Sequence, residues 1–151
     1  MKEPSYRVLD IIRGTTVDGP GFRTSIYLAG CTHRCPGCHN PQSWDPSGGT
    51  ERTLSELLGI IREEEFNVTL SGGDPLMHPE STAQLIRAIR EAGYTVWLYT
   101  GYTWEEIQAS PELYGAVAEA EAVVEGPYVE ALRDPSLRFR GSSNQRIIFI
   151  R

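Results

Sequence analysis

Residues 68–100 read VTLSGGDPLMHPESTAQLIRAIREAGYTVWLYT, and this stretch decides the fold. Val68-Thr69-Leu70-Ser71 is a short β-rich run stopped by Gly72-Gly73. From about Glu80 to Ala92 the period changes: Leu85, Ile86, Ile89 and Ala92 share one helical face, with Gly93 as the C-cap. Tyr94 to Thr100 is again β-rich and nearly all apolar, as in a strand covered on both faces. Strand, helix and strand at this spacing make a βαβ unit, whose strands run parallel.

The alternation continues in both directions. Upstream, Thr24 to Ala29 reads as a strand leading directly into Gly30 and Cys31. Leu54, Leu57, Leu58 and Ile61 then recur at i, i+3, i+4, i+7 behind a Thr53/Glu56 capping box. Downstream, Thr103 and Glu106 repeat the capping-box pattern, and Ser110-Pro111 reads as an N-cap with proline in the first turn. Ala122-Val123-Val124 and Ile147-Ile148-Phe149-Ile150 are strand-like, and Tyr6 to Ile12 is expected as an extra edge strand. The fold class implied is α/β, a small open or partial (β/α) barrel with a mostly parallel sheet. The units are too few to close an eight-stranded barrel. No repeat or linker divides the chain, so one domain over 1–151 is expected.

Composition narrows the function. The 151 residues have 40% hydrophobic and 23% charged side chains, an ordinary globular mixture. Twenty acidic against 14 basic residues give a net charge of −6, which argues against a protein that works by neutralising phosphate backbones. No apolar run approaches the length needed to span a bilayer. The start, Met1-Lys2-Glu3-Pro4-Ser5-Tyr6, lacks the apolar core of a signal peptide, so a cytoplasmic location is expected.

In parallel α/β folds ligands bind at the carboxyl ends of the strands. Cys31, Gly72-Gly73-Asp74-Pro75, Thr100-Gly101-Tyr102 and Glu125-Gly126-Pro127 each follow one strand of the series, so they are expected to line one site. The three cysteines of the chain fall within eight residues, Cys31-x3-Cys35-x2-Cys38. That is not a disulfide framework but a set of soft ligands for zinc, copper(I) or an iron–sulfur cluster. Zinc would need a fourth ligand, which His33 or His39 could supply. A cubane cluster would keep one iron without a protein ligand, since there is no fourth cysteine. Glycines at a strand end, as at Gly72-Gly73, let backbone approach a ligand closely or simply make a turn.

Other features carry less. Glu63-Glu64-Glu65 reads as a solvated helix end, and Trp97 and Tyr99 as core rather than a cofactor stack. Trp44 suits either a cover for the site or ordinary loop packing. The stretch Gly126–Gln145 shows only a weak helical hint, and a loop of that length in a small domain is usually functional. Its Arg133, Arg138 and Arg140 make it basic in an acidic protein, which suits a docking surface or a solvated loop.

The cysteine loop resembles the signature of the radical S-adenosylmethionine superfamily, and Gly72-Gly73-Asp74-Pro75 its Gly-Gly-Glu motif. Asp18-Gly19-Pro20-Gly21-Phe22-Arg23 resembles the glycyl-radical-enzyme activases. Cys35-Pro36-Gly37-Cys38-His39-Asn40, Leu70 to Leu76, Tyr99-Thr100-Gly101-Tyr102 and Arg140-Gly141-Ser142-Ser143-Asn144-Gln145 are together similar to activases of anaerobic ribonucleoside-triphosphate reductase. Gly37 stands where many members carry an aromatic residue, and Asp74 replaces the commoner Glu. The resemblance implies a [4Fe–4S] cluster held by Cys31, Cys35 and Cys38, with S-adenosylmethionine chelating the open iron. It implies reductive cleavage to a 5′-deoxyadenosyl radical and hydrogen abstraction from a glycine of the partner, the glycyl-radical subunit of the reductase. The electron would come from a one-electron donor such as a flavodoxin-type protein. Backbone at Gly72 and Gly73 would hold the methionyl amino group, and Gly37, Cys38 and His39 would lie along the nucleoside. Asp74 and Thr100 complete the implied cofactor-binding set, and no side chain is required as acid, base or nucleophile. Two other readings are a radical S-adenosylmethionine enzyme with a different glycyl-radical partner or a small-molecule substrate, and a zinc-bound interaction module.

Overall fold

Apolar alternation and capping place the elements, and a computed structural model describes them over residues 3–30 and 45–151. Strands β1 (Ser5–Thr15), β2 (Arg23–Leu28) and β3 (Thr50–Thr53) precede helix α1 (Leu54–Glu64). Then come β4 (Asn67–Gly72), α2 (Pro79–Glu91), β5 (Val96–Tyr99), α3 (Trp104–Ala109), α4 (Pro111–Val117), β6 (Ala122–Glu125) and β7 (Arg146–Phe149). All seven strands form one open sheet in the order β3-β1-β2-β4-β5-β6-β7. The central four, β2, β4, β5 and β6, are parallel, and the flanking pairs are antiparallel. The α/β class and the mostly parallel, unclosed sheet are as the sequence implies.

Both capping boxes form: the Thr53 and Thr103 hydroxyls accept from the backbone of Glu56 and Glu106, whose carboxylates reach back. Ser110 caps α4 ahead of Pro111. Helix α2 buries Thr82, Leu85, Ile86 and Ile89. It ends on Ala92 as cap, with Gly93 beyond it at φ +99°, so the expected glycine stop lies one residue further out. Each fully buried aliphatic side chain contributes about 1.5–3 kcal/mol, so this stripe holds the helix to the sheet. The strand expected over Tyr94–Thr100 shortens to its central four residues.

Strand alternation divides the sheet into two unlike faces. Ile26, Leu28, Val68, Leu70, Val96, Leu98 and Val123 enter one cluster with buried residues from all four helices. The opposite, helix-free face carries a smaller cluster of Trp97, Ala122 and Val124, with Tyr99, Phe139 and Ile147 packed against it. Among the described residues all the α-helices lie on one side of the open sheet and none on the other, the arrangement of a partial barrel, as expected.

One expectation is corrected. The strand expected at the edge over Tyr6–Ile12 is longer and is not the edge, because β3 pairs outside its first residues, Ser5 to Val8. Thr50-Glu51-Arg52-Thr53 has no apolar alternation, so nothing in its pattern announces a strand. Its charged side chains suit the outermost position, where an apolar strand would invite pairing with another chain.

Candidate active site at the carboxyl edge of the sheet

The carboxyl ends of the parallel strands are tied to each other by backbone and carboxylate. Gly73 N–H donates to the Leu28 carbonyl at 2.7 Å, and Asp74 N–H to the Gly30 carbonyl at 2.7 Å. Thr100 N–H reaches the Val124 carbonyl at 3.0 Å and Gly126 N–H the Tyr102 carbonyl at 2.9 Å. Three of the four segments expected to share one site, those at Gly72–Pro75, Thr100–Tyr102 and Glu125–Pro127, are thus joined along one edge with Gly30, while the fourth, at Cys31, lies outside the described residues.

Gly72 is required by this arrangement. Its φ is +106°, and a Cβ there would stand 2.3 Å from both the N and the O of Leu28. Since the N–H groups of Gly73 and Asp74 are spent on strand β2 and on Gly30, the turn has carbonyl oxygen to offer a ligand, which suits an amino group. Asp74 is buried, and its carboxylate accepts from Leu76 N–H at 2.9 Å, Gly101 N–H at 3.0 Å and the Thr100 hydroxyl at 2.9 Å. The Asp74 and Thr100 side chains thus fix the turn to the next strand.

Cys31, Cys35, Cys38, Gly37 and His39 lie outside the described residues, as do His33 and Trp44. The ends that bracket this segment are described. Gly30, with φ +106°, lies so close to Pro46 that a Cβ would meet its Cβ at 3.3 Å. Asp45 accepts from Ser47 N–H and hydroxyl, contacts that hold its carboxyl below the usual range. The Arg7 guanidinium donates to the carbonyls of Ser47, Gly48 and Gly49 at 2.9, 3.1 and 2.6 Å. Residues 31–44 are thus bracketed by two anchored ends that meet at the carboxyl end of β2. A cavity of about 270 Å³ lies beside them, lined by Tyr6, Leu28, Ala29, Pro46, Asp74 and His78. Among the described residues no group of His, Cys, Asp or Glu could hold a metal ion. Sequence reasoning passed over Arg7, whose partners lie some forty residues away and leave no local pattern.

On the helix-free face, Tyr27, Ser71 and Tyr99 fall in one row by strand register. The Tyr27 hydroxyl donates to the Asp18 carboxylate, while the buried Tyr99 hydroxyl has no hydrogen-bond partner among the described residues. Burial first, then the negative charge of Asp18, raise the Tyr99 phenol above its ordinary range, so it stays protonated. A buried donor left unpaired costs about 1–3 kcal/mol, and a polar ligand laid across this row would satisfy it. Trp97 is core, as expected, and Tyr99 packs at the margin of the same cluster while keeping this free hydroxyl.

The Asp18–Arg23 motif closes the amino half of that face. Buried Arg23 donates to the Thr69 hydroxyl (2.9 Å), the Val68 carbonyl (2.9 Å) and the Pro20 carbonyl (3.1 Å). Thr69 in turn donates to the Asp18 carbonyl at 2.8 Å. The Arg140–Gln145 motif is a clamp. The Gln145 amide accepts from Gly141 N–H (2.8 Å) and donates to the Gly126 carbonyl (3.0 Å), and Asn144 donates to the Pro127 carbonyl (2.8 Å). These bonds close the base of the long excursion after β6, whose helical hint is one 3-10 turn, Glu130–Leu132. Arg138 and Arg140 do not stay at the carboxyl edge, because Phe139 between them folds back onto Trp97 with ring centroids 5.5 Å apart. Glu63 and Glu64 are a surface pair for Arg13.

Residues 17–148 match the 4Fe-4S single cluster domain, a radical S-adenosylmethionine-type module, which sets the class of protein. The chain is 34% identical to the anaerobic ribonucleoside-triphosphate reductase-activating protein of Escherichia coli K12, over 89% of this chain and 93% of that one. Identity is 32% with the protein of the same name in Salmonella typhi, over the whole of both chains, and 32% with that of Enterobacteria phage T4, over 87% and 86%. The chain belongs to the family of anaerobic ribonucleoside-triphosphate reductase-activating proteins.

Proposed function

We propose that this chain activates an anaerobic ribonucleoside-triphosphate reductase by producing a glycyl radical on it. The observation that carries the reading is the meeting, at one sheet edge, of the anchored ends of the three-cysteine segment and the Asp74-fixed Gly72-Gly73 turn. Cys31, Cys35 and Cys38 hold a [4Fe–4S] cluster, and the carbonyl-rich turn at Gly72 and Gly73 receives the methionyl amino group of S-adenosylmethionine. Gly37, Cys38 and His39 lie along the nucleoside, and Tyr99 donates to a polar group of the bound cofactor. Asp74 and Thr100 are positioning residues that act through the turn they fix. Held there, the cluster would supply the one-electron reduction that cleaves S-adenosylmethionine to methionine and a 5′-deoxyadenosyl radical, the agent that would take hydrogen from the partner's glycine. The chain's own part is to bind, orient and exclude. A flavodoxin-type protein supplies the electron, and the chain acts as one domain over 1–151. Three thiols kept reduced suit the cytoplasm. Among the described residues no helix is long and apolar enough to cross a membrane.

The test is protein purified without oxygen. Iron, visible absorbance and methionine release from S-adenosylmethionine under reduction are expected, all lost when Cys31, Cys35 or Cys38 is changed to Ala. Stoichiometric zinc with no iron would overturn the reading.

A further inference from the structure

The two edges of the sheet are built differently. At one edge β3 presents Glu51 and Arg52. The other edge is β7, Arg146-Ile147-Ile148-Phe149, with no proline or lysine and with Phe149 66% exposed. Ile150 N–H bonds the Glu121 carbonyl at 2.8 Å, and Val124 opposite Ile147 gives its carbonyl to Thr100, just past β5. By the alternation of an antiparallel pair, the N–H and C=O of Ile147 and Phe149 therefore face away from β6. Among the described residues no strand pairs with that side. Natural sheets blunt such edges, and this one is left open.

Beside β7 on the helix-free face runs a groove of about 450 Å³, lined by Trp97, Phe139, Phe149, Arg138, Arg140 and Arg151. In a chain of net charge −6 this groove is basic. The Glu121 carboxylate within it is engaged by the Trp97 indole N–H at 2.7 Å. Arg138 lies over the Phe139 ring at 4.9 Å, and among the described residues the buried Nε of Arg140 has no acceptor. A strand added to β7 would send every second side chain into this groove.

We propose that β7 is extended by a strand from the protein that this chain activates, an extended segment whose inward side chains are acidic and apolar. Main-chain bonds to Ile147 and Phe149 give affinity, and Arg138 and Arg140 select carboxylates. The groove of Arg138, Arg140 and Phe149 lies toward the amino half of the helix-free face, so its arginines are not among the residues assigned to the cofactor. This rests on the activase reading for the identity of the partner.

The test uses two variants with intact cluster ligands and the cognate reductase as probe. Ile147→Pro removes an outward N–H and keeps the pairing to β6, since proline is tolerated on an edge. Arg138→Glu/Arg140→Glu reverses the groove's charge without touching backbone. Each is expected to weaken binding of the reductase at least tenfold and to lower glycyl-radical yield by electron paramagnetic resonance. Methionine release in the reductase's absence stays as in the parent for both, and so does the melting temperature of the arginine pair, while Ile147→Pro melts lower through lost packing on Trp97 and Val124. If Ile147→Pro does not fold, the arginine pair decides alone. Undiminished reductase affinity in the folded variants overturns the proposal. So does a switch from dimer to monomer without loss of reductase affinity, which would make β7 a contact between copies. Loss of uncoupled methionine release would place the arginines in the cofactor site and also overturn it. Failure of the parent protein to release methionine at all would strike the activase reading instead.

Discussion

The Asp74 carboxylate stands 2.9 Å from the Thr100 hydroxyl through each of its oxygens, binding the turn after β4 to the turn after β5. With Leu76 and Gly101 N–H also donating to it, the carboxylate serves this junction. Asp74→Ala leaves those buried donors unpaired and is expected to cost about 3 kcal/mol of stability. Asp74→Asn keeps one acceptor oxygen and loses the Gly101 bond, for about 1–2 kcal/mol. If Asp74 acts through the turn, S-adenosylmethionine affinity in Asp74→Asn stays within a few-fold of the parent. Denaturant unfolding and calorimetry of the reconstituted protein measure the two effects separately.

The adjacent glycines are expected to fail in different ways. Gly72→Ala forces a Cβ to 2.3 Å from the Leu28 backbone at a φ of +106°, so β2 and β4 must part. The expected loss is on the order of 4 kcal/mol or more, seen as poor soluble yield or a much lower melting temperature. Gly73→Val keeps the N–H that bonds Leu28, and is expected to retain iron while weakening S-adenosylmethionine binding tenfold or more. Unchanged affinity in a folded, iron-loaded Gly73→Val protein would leave this turn a purely structural one.

Arg23 offers a test of the helix-free face. Its guanidinium is buried with three acceptors and lies over the Trp97 ring at 5.7 Å. Desolvation, the largest influence, lowers its pKa. Arg23→Met keeps the volume of the stem and removes all three bonds, leaving the Val68 carbonyl and Thr69 hydroxyl short of a donor. A loss of about 2–4 kcal/mol is expected in thermal or denaturant unfolding. Iron content should be unchanged, because Arg23 sits at the opposite end of β2 from Gly30.

What the sequence made legible was periodic or local. Capping boxes at Thr53 and Thr103 and the stripe Leu85, Ile86, Ile89 are set by spacings of three and four residues, and they formed. The cysteine spacing and the glycine pair were likewise visible as motifs. Illegible were the long-range bonds: Arg7 to carbonyls 47–49, Arg23 to Val68 and Thr69, and Asp74 to Thr100. A side chain that finds its partner twenty or more residues away leaves no periodic trace. Strand β3 escaped for the opposite reason, since its pairing with β1 is made by backbone and its side chains are polar. Nor could spacing show that Arg138 and Arg140 fold away from the edge at which the long excursion begins.

Alkaline pH should loosen the fold through its buried phenols. The Tyr6 hydroxyl donates to the Ser81 carbonyl at 2.9 Å, joining β1 to α2. Burial pushes its pKa up to about 12, against about 10 in an unfolded chain. A raised folded-state pKa means the stabilisation is complete below pH 10 and is lost as pH climbs from 10 through about 12. Two pKa units of such difference correspond to on the order of 3 kcal/mol at most. Tyr27 and Tyr99, also raised chiefly by burial, act with the same sign and steepen the decline. Tyr6→Phe is expected to cost about 1 kcal/mol at pH 8 through the lost hydrogen bond. Above pH 10 it should lose stability less steeply than the parent, so that the two curves cross between pH 10 and 12. Anaerobic denaturant titrations at several pH values give both curves. Parallel curves across that window would show that the Tyr6 hydroxyl titrates alike in the folded and unfolded chain.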